Sequence, residues 1–304
     1  MIIKNETLEA LRTMVKGEYQ QQLAALEAVD IYKQIATIIQ STSKSNTYGW
    51  LGKFPQLREW LGDRVFKSIS ESSYTLENKK YEATLTVERT DLEDDNLGIY
   101  KPIARSMADE VIAFYNRSIA ELLKSGFINP CYDGQPFFDE EHPVFEMADG
   151  TGAEEQISNI YGDPEAEGKP WYLLSLSSSL KPIILQQRSG PEMEEITDPK
   201  NEMVFLKDQY LYGIRYRGNF GYGFWQQAIA SKEPLTPAAY EAARLQMRAF
   251  KRDGGDPLGI VPTHLLVDAS NEAAARKILK AQLIDDGNSN INFDTAELVV
   301  SPWL

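Results

Sequence analysis

Apolar residues recur every three to four positions along residues 7–40: Leu8, Leu11 and Val15, then Leu23 and Leu26, then Ile31, Ile35 and Ile38. That spacing matches the turn of a helix and predicts an amphipathic arm whose stripe needs a partner. The polar run Ser41-Thr42-Ser43-Lys44-Ser45-Asn46 follows and reads as a hinge. Trp50, Phe54 and Trp60 then gather around Pro55, which suits the first turn of a short helix closed by Gly62, a small hydrophobic anchor. Next the period drops to two. Tyr81, Ala83, Leu85 and Val87 share one face, and Glu82, Thr84, Thr86 and Glu88 the other. Residues 65–76 offer an antiparallel partner across the polar turn Glu77-Asn78-Lys79-Lys80, which predicts a projecting β-hairpin.

The acidic cluster Asp91, Glu93, Asp94 and Asp95 precedes a predicted helix from Pro102 to Lys124, with Ile103, Met107, Val111, Phe114 and Leu122 on one side and Gly126 closing it. At about 1.5 Å per residue it runs roughly 35 Å, long enough for a spine. Residues 127–170, with Pro130, Pro136, Pro143, Pro164 and Pro170, read as surface connections. Strand signals then dominate at Trp171 to Leu176, Pro182 to Gln186, Met203 to Leu206 and Tyr210 to Trp225. Thr236-Pro237 opens a helix carrying Tyr240, Ala243, Met247 and Phe250, and Gly254-Gly255 ends it. A strand at 263–267, a helix after Ser270 and a strand at 297–300 follow. Helices and strands mix without a regular βαβ alternation, so the class is α+β.

Composition narrows the function. With 304 residues, 42% of them hydrophobic and 15 Tyr, 12 Phe and 5 Trp, the chain is too apolar and aromatic to stay disordered. Its 45 acidic against 31 basic side chains leave a charge of −14, which disfavours phosphate attraction and sequence-specific nucleic-acid binding. The single Cys131 excludes an internal disulfide and a paired-thiolate zinc site, and fits synthesis in a reducing cytoplasm. No stretch approaches the roughly 20 apolar residues that span a bilayer, so no membrane partner is expected.

The chemical motifs are weak. Gly218, Gly221 and Gly223 spell G-x-x-G-x-G on an evident strand, the reverse of a dinucleotide loop, and read instead as bulges or close backbone approaches. Asp139, Glu141 and His142 could hold a divalent metal, which would make the chain a metal-dependent hydrolase. Against this, no H-x-x-x-H pair exists and the only other histidine is His264. Cys131 with His142 lacks any sign of the geometry a nucleophile and base require, and a buried, inert thiol is the plainer reading. Asp285-Asp286-Gly287-Asn288 reads as a polar turn rather than a calcium loop. No catalytic residue, cofactor or metal is assigned.

Several long motifs carry a resemblance instead. Trp50-Leu51-Gly52-Lys53-Phe54-Pro55 with Arg58-Glu59-Trp60-Leu61-Gly62-Asp63-Arg64 resembles the major head subunit of Mu-like phages and prophages. So do Cys131-Tyr132-Asp133-Gly134-Gln135 with Phe137-Phe138-Asp139 and His142-Pro143, and Tyr210-Leu211-Tyr212-Gly213 with Arg217-Gly218-Asn219 and Gly223-Phe224-Trp225-Gln226. Glu241-Ala242-Ala243-Arg244, Pro257-Leu258-Gly259-Ile260 and the terminal Ala296 to Leu304 continue it over nearly the whole chain.

The resemblance implies a Hong Kong 97-type major capsid protein. Residues 1–46 would be its N-terminal arm, 47–90 an extended loop with the hairpin, 91–170 a peripheral domain with the spine helix, and 171–304 mostly an axial domain, some strands returning to the peripheral one. It implies self-assembly through pentamers and hexamers into an icosahedral shell around double-stranded DNA, in the virion, after assembly in the bacterial cytoplasm. Scaffold, protease, portal and decoration proteins are expected as separate chains. A tail or baseplate component is the alternative within the same assembly logic. The arm's stripe and the hairpin put forward Leu23, Leu26, Ile35, Glu77, Lys79, Lys80, Leu85 and Val87 as contacts with neighbouring subunits.

Overall fold

The N-terminal stripe forms helix α1 (Asn5–Glu27) in the computed structural model, which describes residues 5–51, 74–94, 97–198, 200–284 and 287–304. The helix stops well short of residue 40. After a turn in which Asp30 accepts from the Tyr32 amide, only the single turn α2 (Tyr32–Ile35) remains helical, and Ala36–Gln40 form strand β1. Thr37, Ile38 and Ile39 are β-branched and favour a strand, and β1 pairs in parallel with β8 (Ile183–Ile196), from Ala36 opposite Ile183 to Gln40 opposite Gln187. The helical period continues into this strand by coincidence of apolar spacing.

The short strands β2 (Ser45–Thr47) and β3 (Thr75–Glu77) pair with each other, so the predicted hinge is partly strand. β4 (Lys79–Glu88) alternates as its period predicts, but its partner is β9 (Gln209–Tyr222), in an antiparallel ladder from Lys79 opposite Gly218 to Glu88 opposite Gln209. The predicted hairpin is therefore corrected. Asn78 is buried rather than at a turn tip: its amide donates to Ser41 and Ser43 and accepts from Gln186. Residues 65–73, the rest of the predicted partner strand, lie outside the described residues. So do Phe54, Pro55, Trp60 and Gly62 of the predicted anchor.

After the short helix α3 (Arg89–Glu93) comes the spine, α4 (Tyr100–Ser125), about 39 Å long at about 1.5 Å per residue. Its buried face runs through Ala104, Met107, Ala108, Ile112, Tyr115 and Leu123, rotated from the predicted one: Met107 is buried, Val111, Phe114 and Leu122 are half-buried, and Ile103 is exposed. α1 lies alongside and parallel, with Glu18 on Arg105 and Gln22 on Asp109 advancing together. Leu11, Val15 and Tyr19 pack under both onto Val87, Tyr210, Tyr212 and Ile214.

The region read as surface connections is mostly exposed or half-buried, but it holds strands β5 (His142–Phe145) and β6 (Glu154–Ile157) and buries Tyr132, Phe137, Phe138, His142, Asn159 and Ile160. Phe137 stacks on Tyr222 at 4.6 Å, and Asn159 satisfies the nearby backbone by donating to the Phe137 carbonyl and accepting from the Asp139 amide. Then follow β7 (Trp171–Leu174), β8, α5 (Glu202–Lys207), β9, β10 (Ala228–Ser231), α6 (Pro237–Arg248), β11 (His264–Val267), α7 (Glu272–Leu279) and β12 (Glu297–Val300). Residues 203–206 are helix α5, not the predicted strand. Asn201 caps its start by accepting from the Met203 amide, and Asp208 in the left-handed region ends it by donating to Val204.

Two four-stranded sheets result, ordered β1-β8-β9-β4 and β10-β7-β11-β12. The first draws strands from the predicted arm, the predicted extended loop and the region after residue 171. The second is buried at every position of β7, β10 and β11, with α6 and α7 packed against it. Thr236 caps α6 by accepting from the Ala239 amide, with Pro237 in the first turn, as the sequence predicts. The fold is α+β.

Candidate functional surfaces and a buried polar cluster

The best chemical candidate turns inward. His142 is fully buried at the start of β5, its Nδ1 2.8 Å from Asp133 and its ring stacked 4.1 Å from Trp225 with 8° between planes. Asp133 also accepts from the Cys131 thiol at 3.0 Å and the Gln135 amide at 3.2 Å. The ligating atoms of Cys131, Asp133 and His142 lie within 4.8 Å of one another. In this arrangement the carboxylate is already shared between thiol and imidazole. Burial, then the Asp133 charge, pushes the Cys131 thiol up, away from the thiolate that a nucleophile requires. The cluster works as a staple holding the 131–142 turn against Trp225.

Asp139, Glu141 and His142 do not converge as a metal hydrolase would need. Asp139 accepts from the Glu141 amide in its own turn, while the imidazole faces Asp133. The glycines of residues 218–223 serve close packing: a Cβ at Gly218 would stand 2.5 Å from the Gln186 carbonyl, and one at Gly223 2.3 Å from that of Lys181. The ladder between β8 and β9 is irregular next to Gly218. Asp285 and Asp286 lie outside the described residues; the residues on either side of them are joined, the Gly287 amide donating to the Ile284 carbonyl.

The predicted contact residues separate into two groups. Val87 is fully buried and Ile35 nearly so, both within this chain's own core, while Leu23, Leu26 and Leu85 are half-buried against it. Glu77, Lys79 and Lys80 are exposed, and Glu77 pairs with Lys44 at 2.7 Å, the pair raising the lysine's pKa and lowering the carboxylate's.

Two features escaped the sequence reading. Glu195 on β8 meets both Arg12 at 2.7 Å and Lys16 at 2.5 Å, pinning α1 to the sheet, and Tyr19 adds a hydrogen bond to the Pro191 carbonyl. The i, i+4 spacing of Arg12 and Lys16 was the available signal for a shared carboxylate. The second is α5, where Phe205 and Leu206 are 80% and 67% exposed. Reading residues 203–206 as a strand hid it. Among the described residues no helix is long and apolar enough to cross a membrane.

A family model described as Mu-like prophage major head subunit gpT matches residues 8–304. The major capsid protein of Escherichia phage Mu is 41% identical over 307 residues, covering 100% of both chains. The Mu-like prophage FluMu major head subunit of Haemophilus influenzae is 44% identical over 259 residues, 84% of each. Among solved structures, a chain of the bacteriophage JBD30 procapsid superposes with a TM-score of 0.90 at 43% identity, over 99% of this chain and 100% of that one. A chain of the JBD30 capsid gives 0.73 at 31% identity, over 90% of each.

Proposed function

The chain belongs to the Mu-like prophage major head subunit family, and from that premise we propose that its copies close through pentamers and hexamers into the icosahedral shell of a phage head. It is a major capsid protein, a component of the virion, with the Hong Kong 97-type fold. The superposition at TM-score 0.90 over 99% of the chain carries this reading, because it accounts for the whole chain rather than one motif. The buried Cys131, Asp133 and His142 cluster offers no open chemistry, which supports a structural subunit in place of an enzyme.

The first partner is the chain itself. Scaffold, protease, portal and decoration proteins are proposed as separate chains that act on the assembled lattice. The domain reading becomes a proposal of the same kind: α1, α4 and the first sheet form the peripheral body, and the second sheet with α6 and α7 the axial one. Glu77, Lys79 and Lys80, exposed beside the sheet edge, are retained as proposed contacts with a neighbour. A charge of −14 makes free subunits repel one another and gives packaged DNA no attractive lining.

Sedimentation across a concentration and salt series tests the proposal. Association should strengthen from low to moderate salt, as the screening length shortens to about 10 Å. A strict monomer at high concentration with scaffold supplied, or tight DNA binding by free subunits at physiological salt, would contradict it.

A further inference from the structure

β4 is an edge strand: the first sheet runs β1-β8-β9-β4, and no strand follows β4 among the described residues. Its ladder to β9 is regular from Lys79 to Glu88, residue for residue, with no bulge and no proline. The Glu88 amide turns away from β9 to the Tyr100 hydroxyl, and the next amide, that of Arg89, donates to the Asp208 carbonyl on the β9 side. Such orientations alternate in an antiparallel pair, so the backbone groups of Lys80, Glu82, Thr84 and Thr86 also face outward, with no backbone partner among the described residues. A regular row of open donors and acceptors is a template for one more strand. Beside this edge lies a crevice. Ala83 is the small residue between Tyr81 and Leu85 on the helix-facing side, and the space it leaves is about 190 Å³, between β4 and α4, walled by the rings of Tyr81, Phe114 and Tyr216. About 150 Å³ accommodates benzene, so the crevice takes one aromatic side chain among these rings.

We infer that the β4 edge takes an extended, basic segment of a separate protein, whose backbone pairs with residues 80–86 and whose aromatic side chain, opposite Ala83, enters the crevice. Main-chain pairing supplies the affinity and the crevice fixes the register. The inference concerns the single chain and holds whether or not its copies close into a shell.

Charge selects the occupant. Lys79 and Lys80 stand at one end of the edge, and Arg215 lies across from Glu82. The other end holds Glu88, then Asp91 and Asp94, beside an Arg89 that Asp208 pairs at 3.5 Å. At the crevice Arg117 is taken by Glu110 at 2.9 Å. With −14 on the chain as a whole, the field draws a basic segment to this edge and opposes a second copy. Side chains of the added strand alternate, so the neighbours of its aromatic residue lie on the open side beside Glu82 and Thr84, where lysine or arginine fits.

The probe is the fluorescein-labelled peptide Lys-Thr-Lys-Trp-Lys-Thr-Lys, titrated with dispersed subunits of the full chain at physiological salt. Fluorescence anisotropy should show saturable binding. Thr84→Pro keeps every hydrogen bond to β9, because the Thr84 amide faces outward, and should weaken binding at least about tenfold. Ala83→Leu, which fills the crevice, should do the same, as should alanine in place of the peptide's tryptophan. Both variants should retain the circular dichroism of the unsubstituted chain. With benzoylphenylalanine replacing that tryptophan, photo-crosslinking to the unsubstituted chain should attach the peptide between Met107 and Arg117, a readout that needs no variant to fold. Absence of saturable binding, equal affinity for a folded Thr84→Pro chain, or attachment elsewhere overturns the inference. A change in the sedimentation of the peptide-free chain on Thr84→Pro would assign the edge to a second copy and overturn it too.

Discussion

Every residue of β7, β10 and β11 is buried, whereas β4 alternates covered and open positions along its length. The second sheet is enclosed by this chain's own segments and reads as a near-continuous apolar run, as a sheet packed on both faces must. The first sheet is buried on both faces only where β8 begins and β9 ends, at residues 183–186 and 220–222; along β4 it is covered on one side, by α1 and α4. Its other face shows Glu82, Thr84, Thr86 and Glu88 to solvent, and its far end carries the apolar tip of α5. One region, the body, completes its packing within the subunit; the other, the wing, leaves one face of β4 open to solvent. That division suits the shell role proposed above, in which neighbouring subunits cover what one subunit leaves open.

The comparison breaks most readily on the covered face of the wing. Val87 is fully buried, so Val87→Asp places an unpaired charge among Leu11, Val15 and Tyr212 and should cost several kcal/mol, enough to abolish cooperative folding. Far-ultraviolet circular dichroism and urea unfolding of the variant check this. A stable monomer would mean that α1 does not occupy that face in the free subunit.

Within the enclosed body, Trp225→Ala removes a buried ring between His142 and Phe250 and should lower stability by about 3–5 kcal/mol in urea unfolding. His142→Phe is gentler, since a ring can remain on Trp225 while Asp133 loses a partner. About 1–3 kcal/mol is expected, and zinc added to either protein should leave its melting temperature unchanged if the cluster is a hydrogen-bonded staple.

His264 adds a pH dependence to the body. Burial lowers its pKa, opposed by Glu297 on the paired strand, so the folded chain releases this proton at lower pH than the unfolded one. Between the folded value and about 6.5 the unfolded state binds more protons, and stability should fall as pH drops through that window. Urea midpoints from pH 7 to 5 should show the fall, and His264→Gln should remove its share. On the open face of the wing the expected effect is smallest. Thr84→Asp, exposed on β4, should change stability by no more than about 0.5 kcal/mol.

Legibility in the sequence followed the range of the interactions. α4 and α6 were readable because their signals are local: a sustained helical period, and Thr236 before Pro237 at the start of α6. β7, β9, β11 and β12 showed as short apolar or alternating runs. The partner of β4 did not, because Leu85 lies opposite Tyr212, far along the chain, and a period of two marks a strand without naming its neighbour. β1 was lost for a related reason: Ile35 and Ile38 fit a helical stripe until the parallel pairing with β8 decides between the two periods. At the candidate site, Asp139 and Glu141 drew attention by adjacency to His142. Asp133 holds the imidazole because a turn returns the chain upon itself, which linear spacing does not express. The family resemblance, carried by long ordered motifs, was legible throughout.

Electron microscopy of the full chain produced with its head partners tests the central claim most directly. Closed isometric shells built from this subunit are the predicted result. Tubes, plates, or subunits that remain dispersed at every concentration and salt condition would contradict it.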